Sequence, residues 1–277
     1  MDFLNNPLLR EVIRIALLED LGSGDITTRS IISAGSNSNA RIIAKEPFVF
    51  AGMPFVHEVF RMLGGVEIKG IASEGAVVKG GDIMAQLSGR TATLLEGERV
   101  ALNILQRVSG IATKTREFVD KVAGLDVSIS DTRKTAPGLR LLDKYGVSIG
   151  GGKNHRFGLY DGVLIKDNHI AAAGGVKKAV ELARKAHHLL KIEVEVSDFD
   201  ELDEALAAGA DVIMLDNMTI EDMKKAVGIT NKRALLEASG NVGLENVRAI
   251  AETGVDIISI GALTHSVKAA DISMKIG

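Results

Sequence analysis

In IEVEVSDFDELDEALAAGADVIMLD (192–216) an apolar run, a helical stretch over 198–208 and a second apolar run, DVIMLD (211–216), follow one another. Strand, helix and strand in that order predict parallel strands covered by helices, because near-continuous apolar strands need both faces buried. The alternation extends in both directions. DVSIS (126–130) and GVLIK (162–166) precede it, and ALLEAS (234–239) and DIISIG (256–261) follow it. Helical stretches over 176–190, 219–227 and 243–253 lie between the later runs. Six strands are clear, so a barrel built from them is either incomplete or holds a further strand within residues 146–150.

Each run ends on a polar, charged or glycine position: Asp131-Thr132-Arg133-Lys134, Lys166-Asp167-Asn168, Glu195, Asp216-Asn217, Ser239-Gly240 and Gly261. Functional groups at the C-terminal ends of several strands are the mark of a β/α barrel. An open doubly wound sheet would gather them at one switch point, often with a Gly-rich turn, and neither GxGxxG nor GxxxxGK[ST] occurs.

Upstream the texture differs. Leu8, Leu9, Val12, Ile13, Ala16 and Leu17 recur at helical spacing, with Pro7 suited to a first turn and Gly22 to the stop. From Arg41 to about Gly89 short β-prone runs alternate with glycines: RIIAK (41–45), VEIKGIA (66–72), AVVKG (76–80) and DIMAQL (82–87). One helical interlude, Pro54 to Leu63, ends at Gly64-Gly65. A long helix is expected from Glu96 to Val122, with Val100, Ile104, Val108, Ile111, Thr115, Phe118 and Val122 on one stripe. The expected organisation is a small α+β domain over 1–108 and a β/α domain over 109–277.

With 277 residues, 46% hydrophobic, 25% charged and a net charge of −3, the chain reads as an ordinary globular protein. The balanced charge argues against a nucleic-acid partner, which needs a broad basic face, and 4% aromatics argue against stacking platforms. No cysteine is present, so disulfides, thiolate metal sites and a cysteine nucleophile are excluded. Charged residues interrupt the N-terminal apolar stretch, and no basic run precedes it, so no membrane association and a cytoplasmic location are expected.

Against that balance, DTRKTAPGLRLLDKYGVSIGGGKNHRFGLYDGVLIKDNH (131–169) is a cationic island. Arg133, Lys134, Arg140, Lys144, Lys153, Arg156, Lys166, His155 and His169 face only Asp131, Asp143, Asp161 and Asp167. Glycines among cations suit a small, strongly anionic ligand, since an arginine fork grips carboxylate or phosphate through two bonds. A solvated charged turn would explain Arg133-Lys134 alone, but cations recur at neighbouring strand ends. The triplet Gly150-Gly151-Gly152 is weak evidence by itself. Lys166, ending an apolar strand, suits an anion contact or a Schiff-base nucleophile. Glu195 and Asp216 suit ribose hydroxyls or Mg²⁺, or simple pairing with the cations. His155, His169 and Asp167 together offer metal-binding side chains, though at no compact spacing. The run EGAVVKGGDIMAQLSG (74–89) has the texture of a carrier domain but lacks a lysine at a hairpin tip.

On these residues the chain resembles the quinolinate phosphoribosyltransferases. The motifs are ALLEDLGSGDITT (16–28), EGERVALNILQRVSGIAT (96–113), the whole island 131–169, EVEV (193–196), VIMLDNM (212–218) and LEASGNV (236–242). Ala136 departs from the pattern, where Thr or Leu is expected. The resemblance implies an N-terminal α/β sandwich followed by an incomplete barrel of about seven strands. It also implies a glycosyltransferase that joins quinolinate to phosphoribosyl pyrophosphate with decarboxylation, in NAD biosynthesis. Carried over, Arg133, His155, Arg156 and Lys166 hold the quinolinate carboxylates, and Arg99 comes from the second subunit of a homodimer. Lys134 holds phosphate, Glu195 and Asp216 hold ribose directly or through Mg²⁺, and Ser239, Gly240 and Gly261 receive the 5'-phosphate. No prosthetic group is implied. The rival readings are a phosphoribosyltransferase for a related acid such as nicotinate, a Schiff-base lyase on Lys166, and a non-enzymatic anion-binding module.

Overall fold

The computed structural model describes Phe3, residues 5–186 and residues 188–277, and the chain separates into two compact units. The first comprises residues 1–116, 135–151 and 263–277; the second comprises 117–134 and 152–262.

The first unit opens with α1 (Pro7–Leu21), capped by the Asn6 side chain, which accepts from Leu8 N–H. It buries Leu9, Ile13 and Leu17, and Gly22 ends it. A short α2 (Ile26–Ile31) follows, with Asp25 as its cap. Then come β1 (Asn37–Ala44), β2 (Phe48–Val49), α3 (Met53–Leu63), β3 (Val66–Gly70), β4 (Val77–Val78), β5 (Ile83–Arg90) and α4 (Thr91–Lys121). The chain passes into the second unit inside α4, whose expected stripe from Val100 to Phe118 is buried along its length.

The second unit adds β6 (Ser128–Ser130). After α5 (Arg140–Ile149), which belongs to the first unit, it continues with β7 (Val163–Ile165), α6 (Asp167–Ala173), α7 (Val176–Ala186), β8 (Ile192–Val196) and α8 (Phe199–Ala207). It ends with β9 (Val212–Asp216), α9 (Ile220–Thr230), β10 (Leu235–Ser239), α10 (Val247–Ala251) and β11 (Ile257–Ser259). The chain then returns to the first unit through α11 (Ala262–His265) and β12 (Ile272–Ile276).

In the first unit β12, β1, β5 and β3 form an antiparallel sheet in that order. Its edge strand β12 comes from the far end of the chain, with Ala40 opposite Ile276. The same unit corrects one expectation, because residues 146–150 close a helix and are not a strand. Local β propensity in GVSIG is overridden by packing. Gly146 and Gly150 let α5 approach α4 so closely that an added Cβ would lie 2.9 Å from Val108 O and 2.6 Å from Ala112 O. Arg107 also donates two hydrogen bonds, at 2.7 and 2.9 Å, to the fully buried Asp143 of α5.

In the second unit six parallel strands run in the order β6, β11, β10, β9, β8, β7. A single parallel bridge, Ser130 to Lys153, adds one more stave beside β6. The ring of staves therefore reads Lys153, β6, β11, β10, β9, β8, β7. Among the described residues Lys153 and β7 do not pair, which leaves an incomplete barrel. Strand alternation separates two faces. Ile192, Val194, Val196, Ile213, Leu215, Leu236, Ala238 and Ile258 form an apolar buried face. Glu193, Glu195, Asp216, Glu237, Ser239 and Ser259 fall on the other face.

Candidate active site

On that polar face a cavity of about 520 Å³ opens, lined by residues at the C-terminal strand ends and the loops after them. It brings together Arg133, Lys134, His155, Arg156, Lys166, Glu195, Asp216 and Ser239 of the expected set. Gly240 follows Ser239 directly, and Gly261 lies two residues beyond β11, but neither lines the cavity. Arg99 is an exposed residue of α4 in the first unit.

The loop from Lys153 to Gly162 is tied by side-chain hydrogen bonds. Buried Asp131 accepts from Asn154 Nδ2 at 2.7 Å and from His155 N–H at 2.8 Å. Asp161 accepts from Phe157 N–H at 2.6 Å and Gly158 N–H at 2.9 Å, while Arg156 donates to Gly162 O at 2.8 Å. The Arg156 guanidinium is therefore fixed in place. Burial, and next the like charge of Arg133, hold its pKa below the ordinary arginine value. Two neighbouring guanidiniums that cannot deprotonate make a receptor for an anion.

The His155 imidazole has a defined tautomer. Its Nδ1 accepts from Arg156 N–H at 2.8 Å, so Nδ1 carries a lone pair. Its Nε2 lies 2.9 Å from Glu193 Oε2 and therefore carries the proton and donates it. In this arrangement His155 is neutral and both ring nitrogens serve the protein. Glu237 stands behind it, with Oε2 3.9 Å from the same Nε2. Burial first, and the nearby Glu193 charge second, push the Glu237 carboxyl up to about 7.

Ligand atoms of His155, Glu193 and Glu237 lie within 4.8 Å of one another, close enough to suggest a metal. The hydrogen bonding opposes it. A histidine ligating through Nε2 carries its proton on Nδ1, and Arg156 N–H already points there. The other metal-binding trio considered from sequence does not assemble around His155: exposed His169 accepts from Lys166 N–H at 3.0 Å at the start of α6.

Lys166 directly follows β7 as the N-cap of α6, and its ammonium is paired with Glu195 on β8. Asp216 ends β9 opposite Ser239 of β10. Cations for anionic groups thus share one cavity with carboxylates on the adjacent strands β8 and β9.

Two family models match the chain: the N-terminal domain of quinolinate phosphoribosyl transferase over residues 25–109, and its C-terminal domain over 111–275. The chain belongs to the quinolinate phosphoribosyltransferase family. A probable nicotinate-nucleotide pyrophosphorylase (carboxylating) of Bacillus subtilis is 47% identical, over 99% of this chain and 95% of that protein. A mitochondrial quinolinate phosphoribosyltransferase (decarboxylating) of Nicotiana tabacum is 44% identical, over 97% of this chain and 82% of that protein. The solved nicotinate-nucleotide pyrophosphorylase of Francisella tularensis superposes with a TM-score of 0.94 at 40% identity, covering the whole of both chains. This quinolinate phosphoribosyltransferase family member therefore shares the fold of that solved relative over its whole length.

Sequence reasoning passed over Asp131, Glu193, Asn217, Glu237 and Ser259 as individual site residues. Alternation in IEVEV and LLEAS already carries part of the signal, since Glu193 shares a face with Glu195, and Glu237 with Ser239.

Proposed function

We propose that this protein transfers the phosphoribosyl group of phosphoribosyl pyrophosphate to the ring nitrogen of quinolinate. Pyrophosphate and CO₂ leave, and nicotinate mononucleotide is formed. One observation carries the reading: Arg133, Lys134, Arg156 and Lys166 line the same cavity as Glu195 and Asp216. A dicarboxylate needs paired cations, and a ribosyl donor needs acceptors for its hydroxyls.

Arg133, Arg156 and Lys166 hold the quinolinate carboxylates, with Lys166 exchanging its Glu195 partner for the ligand. His155 takes part by fixing Arg156. Lys134, exposed at the rim, holds donor phosphate. Ser239, Gly240 and Gly261 receive the 5'-phosphate, and Glu195 and Asp216 accept from the ribose hydroxyls.

The bond from the anomeric carbon to pyrophosphate breaks as charge develops on the sugar, and the positioned pyridine nitrogen forms the new bond. The ring nitrogen is then cationic. It stabilises the electron pair left on the adjacent carbon when that carboxylate departs as CO₂, and a proton takes its place. Glu195 and Asp216 offer hard oxygen ligands on neighbouring strands, which fits Mg²⁺ held jointly with substrate oxygens. Mg²⁺ would neutralise pyrophosphate charge as it leaves. No prosthetic group is required.

The working unit is a homodimer in which the partner subunit's Arg99 completes the quinolinate site; the exposure of Arg99 on α4 supports this. The enzyme is read as cytoplasmic, and among the described residues no helix is long and apolar enough to cross a membrane. The domain junction is placed at 108/109, near the point where the two family models meet.

Incubation with quinolinate, phosphoribosyl pyrophosphate and Mg²⁺ should yield nicotinate mononucleotide and CO₂ in equal amounts. Turnover of nicotinate but not quinolinate would overturn the assignment.

A further inference from the structure

The loops that follow β9 and β10 are joined by an unusual contact. Asn217 and Asn241, each directly beyond or near the end of its strand, both adopt left-handed backbone, with φ of 54° and 50°. Between them lies Gly240 at φ 95°. The Asn217 side chain lies over Gly240 so closely that a Cβ there would fall 2.2 Å from Asn217 Oδ1. Only glycine leaves that space.

The amide orientation is set by its neighbours. Asn241 Nδ2 donates to Asn217 Oδ1 at 3.1 Å, which leaves Asn217 Nδ2 as the donor to Asp216 Oδ2 at 2.9 Å. Asn241 is anchored in turn, because its carbonyl accepts from Asn246 Nδ2 at 2.9 Å, and Asn246 Oδ1 accepts from Gly243 N–H at 2.8 Å. The backbone closes the arrangement: Asn217 N–H donates to Ser239 O at 2.9 Å. Asn217 itself lines the cavity.

We infer that Asn217 is a positioning residue for the Asp216 carboxylate, held by Asn241 across Gly240, so that the ribose and 5'-phosphate contacts form as one unit. The inference rests on the reading of Asp216 as a ribose contact and of Ser239-Gly240 as the phosphate contact. A free aspartate at a strand end samples several rotamers, and each must be lost on binding. The amide relay removes that freedom beforehand and ties it to the loop that meets the phosphate.

Steady-state kinetics of Asn217→Asp test it. This variant keeps the size, the left-handed tolerance and an oxygen for Asn241, but sets an anion beside Asp216 in place of a donor. KM for phosphoribosyl pyrophosphate should rise by about tenfold or more, while KM for quinolinate changes by less than about twofold and thermal unfolding stays unchanged. Asn217→Gly, which keeps the backbone conformation and deletes the amide, should show the same split. A purely structural role would move both KM values and the melting temperature together, and that outcome, or no change in either KM, overturns the inference. Asp216→Asn run alongside separates the two layers. A donor KM unchanged in Asp216→Asn overturns the ribose assignment beneath the inference. A donor KM raised there but unchanged in both Asn217 variants overturns the clasp alone.

Discussion

Nε2 of His155 stands 2.9 Å from Oε2 of Glu193, and that contact, with Arg156 N–H on Nδ1, places the imidazole proton on Nε2. Neutral His155 then links buried Glu193 to the backbone of a cationic loop. Nitrogen-15 NMR of the imidazole at neutral pH should show a protonated Nε2 and an unprotonated Nδ1; the opposite tautomer would remove His155 from this role. Glu193→Gln retains an oxygen acceptor and should unfold close to wild type. Glu193→Leu leaves a part-buried N–H without its acceptor and should cost roughly 1–3 kcal/mol in denaturant unfolding.

Glu237 gives a pH signature. Its carboxyl rises from an ordinary 4.5 to about 7 in the folded protein, through burial first and the charge of Glu193 second, with Asp131 adding to the rise. Between those values the unfolded chain releases a proton that the folded chain retains. Stability from this group is therefore complete below about pH 4.5, falls as pH rises to about 7, and is flat above. The span corresponds to roughly 3 kcal/mol. Glu237→Gln cannot ionise, so its melting temperature relative to wild type should climb between pH 5 and pH 8. A constant difference across that range would show that Glu237 titrates normally.

The strand ends were legible because a parallel barrel makes two demands at once, apolar strands and polar exits. DVIMLD ending on Asp216 and ALLEAS ending on Ser239 satisfy both, and each of these residues lines the cavity. Where sequence reading went astray, the deciding force was not local. GVSIG (146–150) has strand composition, yet Gly146 and Gly150 are there for contact with α4, more than thirty positions away. The strand β12 pairs with β1 at the opposite end of the chain, and no periodicity within ISMKI announces that partner. Asp131 read as one of several acids in a basic stretch; its role depends on Asn154 and His155 folding back onto it. Asn217 counted only as part of the polar strand end Asp216-Asn217, and only the neighbouring loop supplies Asn241.

Arg133 stands close enough to Arg156 to disfavour its charge, so an anion held by both relieves that repulsion. Arg133→Lys keeps the charge but loses the planar fork. The specificity constant for quinolinate should fall about thirtyfold, equivalent to roughly 2 kcal/mol of charged hydrogen bonding, with a smaller effect on KM for phosphoribosyl pyrophosphate. An unchanged constant for quinolinate would place the dicarboxylate elsewhere.

Glycine has opposite meanings at two helical positions, and paired substitutions separate them. At Gly150, the C-cap of α5, an added Cβ would meet Thr115 Cβ at 2.5 Å and Ala112 O at 2.6 Å. Backbone of α4 cannot yield as a side chain would, so the helices must part, at a cost of roughly 1–3 kcal/mol for overpacking. At Gly228, within α9 and exposed, nothing lies within 4 Å of an added Cβ and no positive φ opposes it. There alanine only restricts the unfolded chain and improves helix propensity, a gain of about 0.5–1 kcal/mol. Thermal unfolding should therefore fall by several degrees in Gly150→Ala and rise by about two in Gly228→Ala. A rise in both would mean that α5 does not pack on α4 through its glycine face.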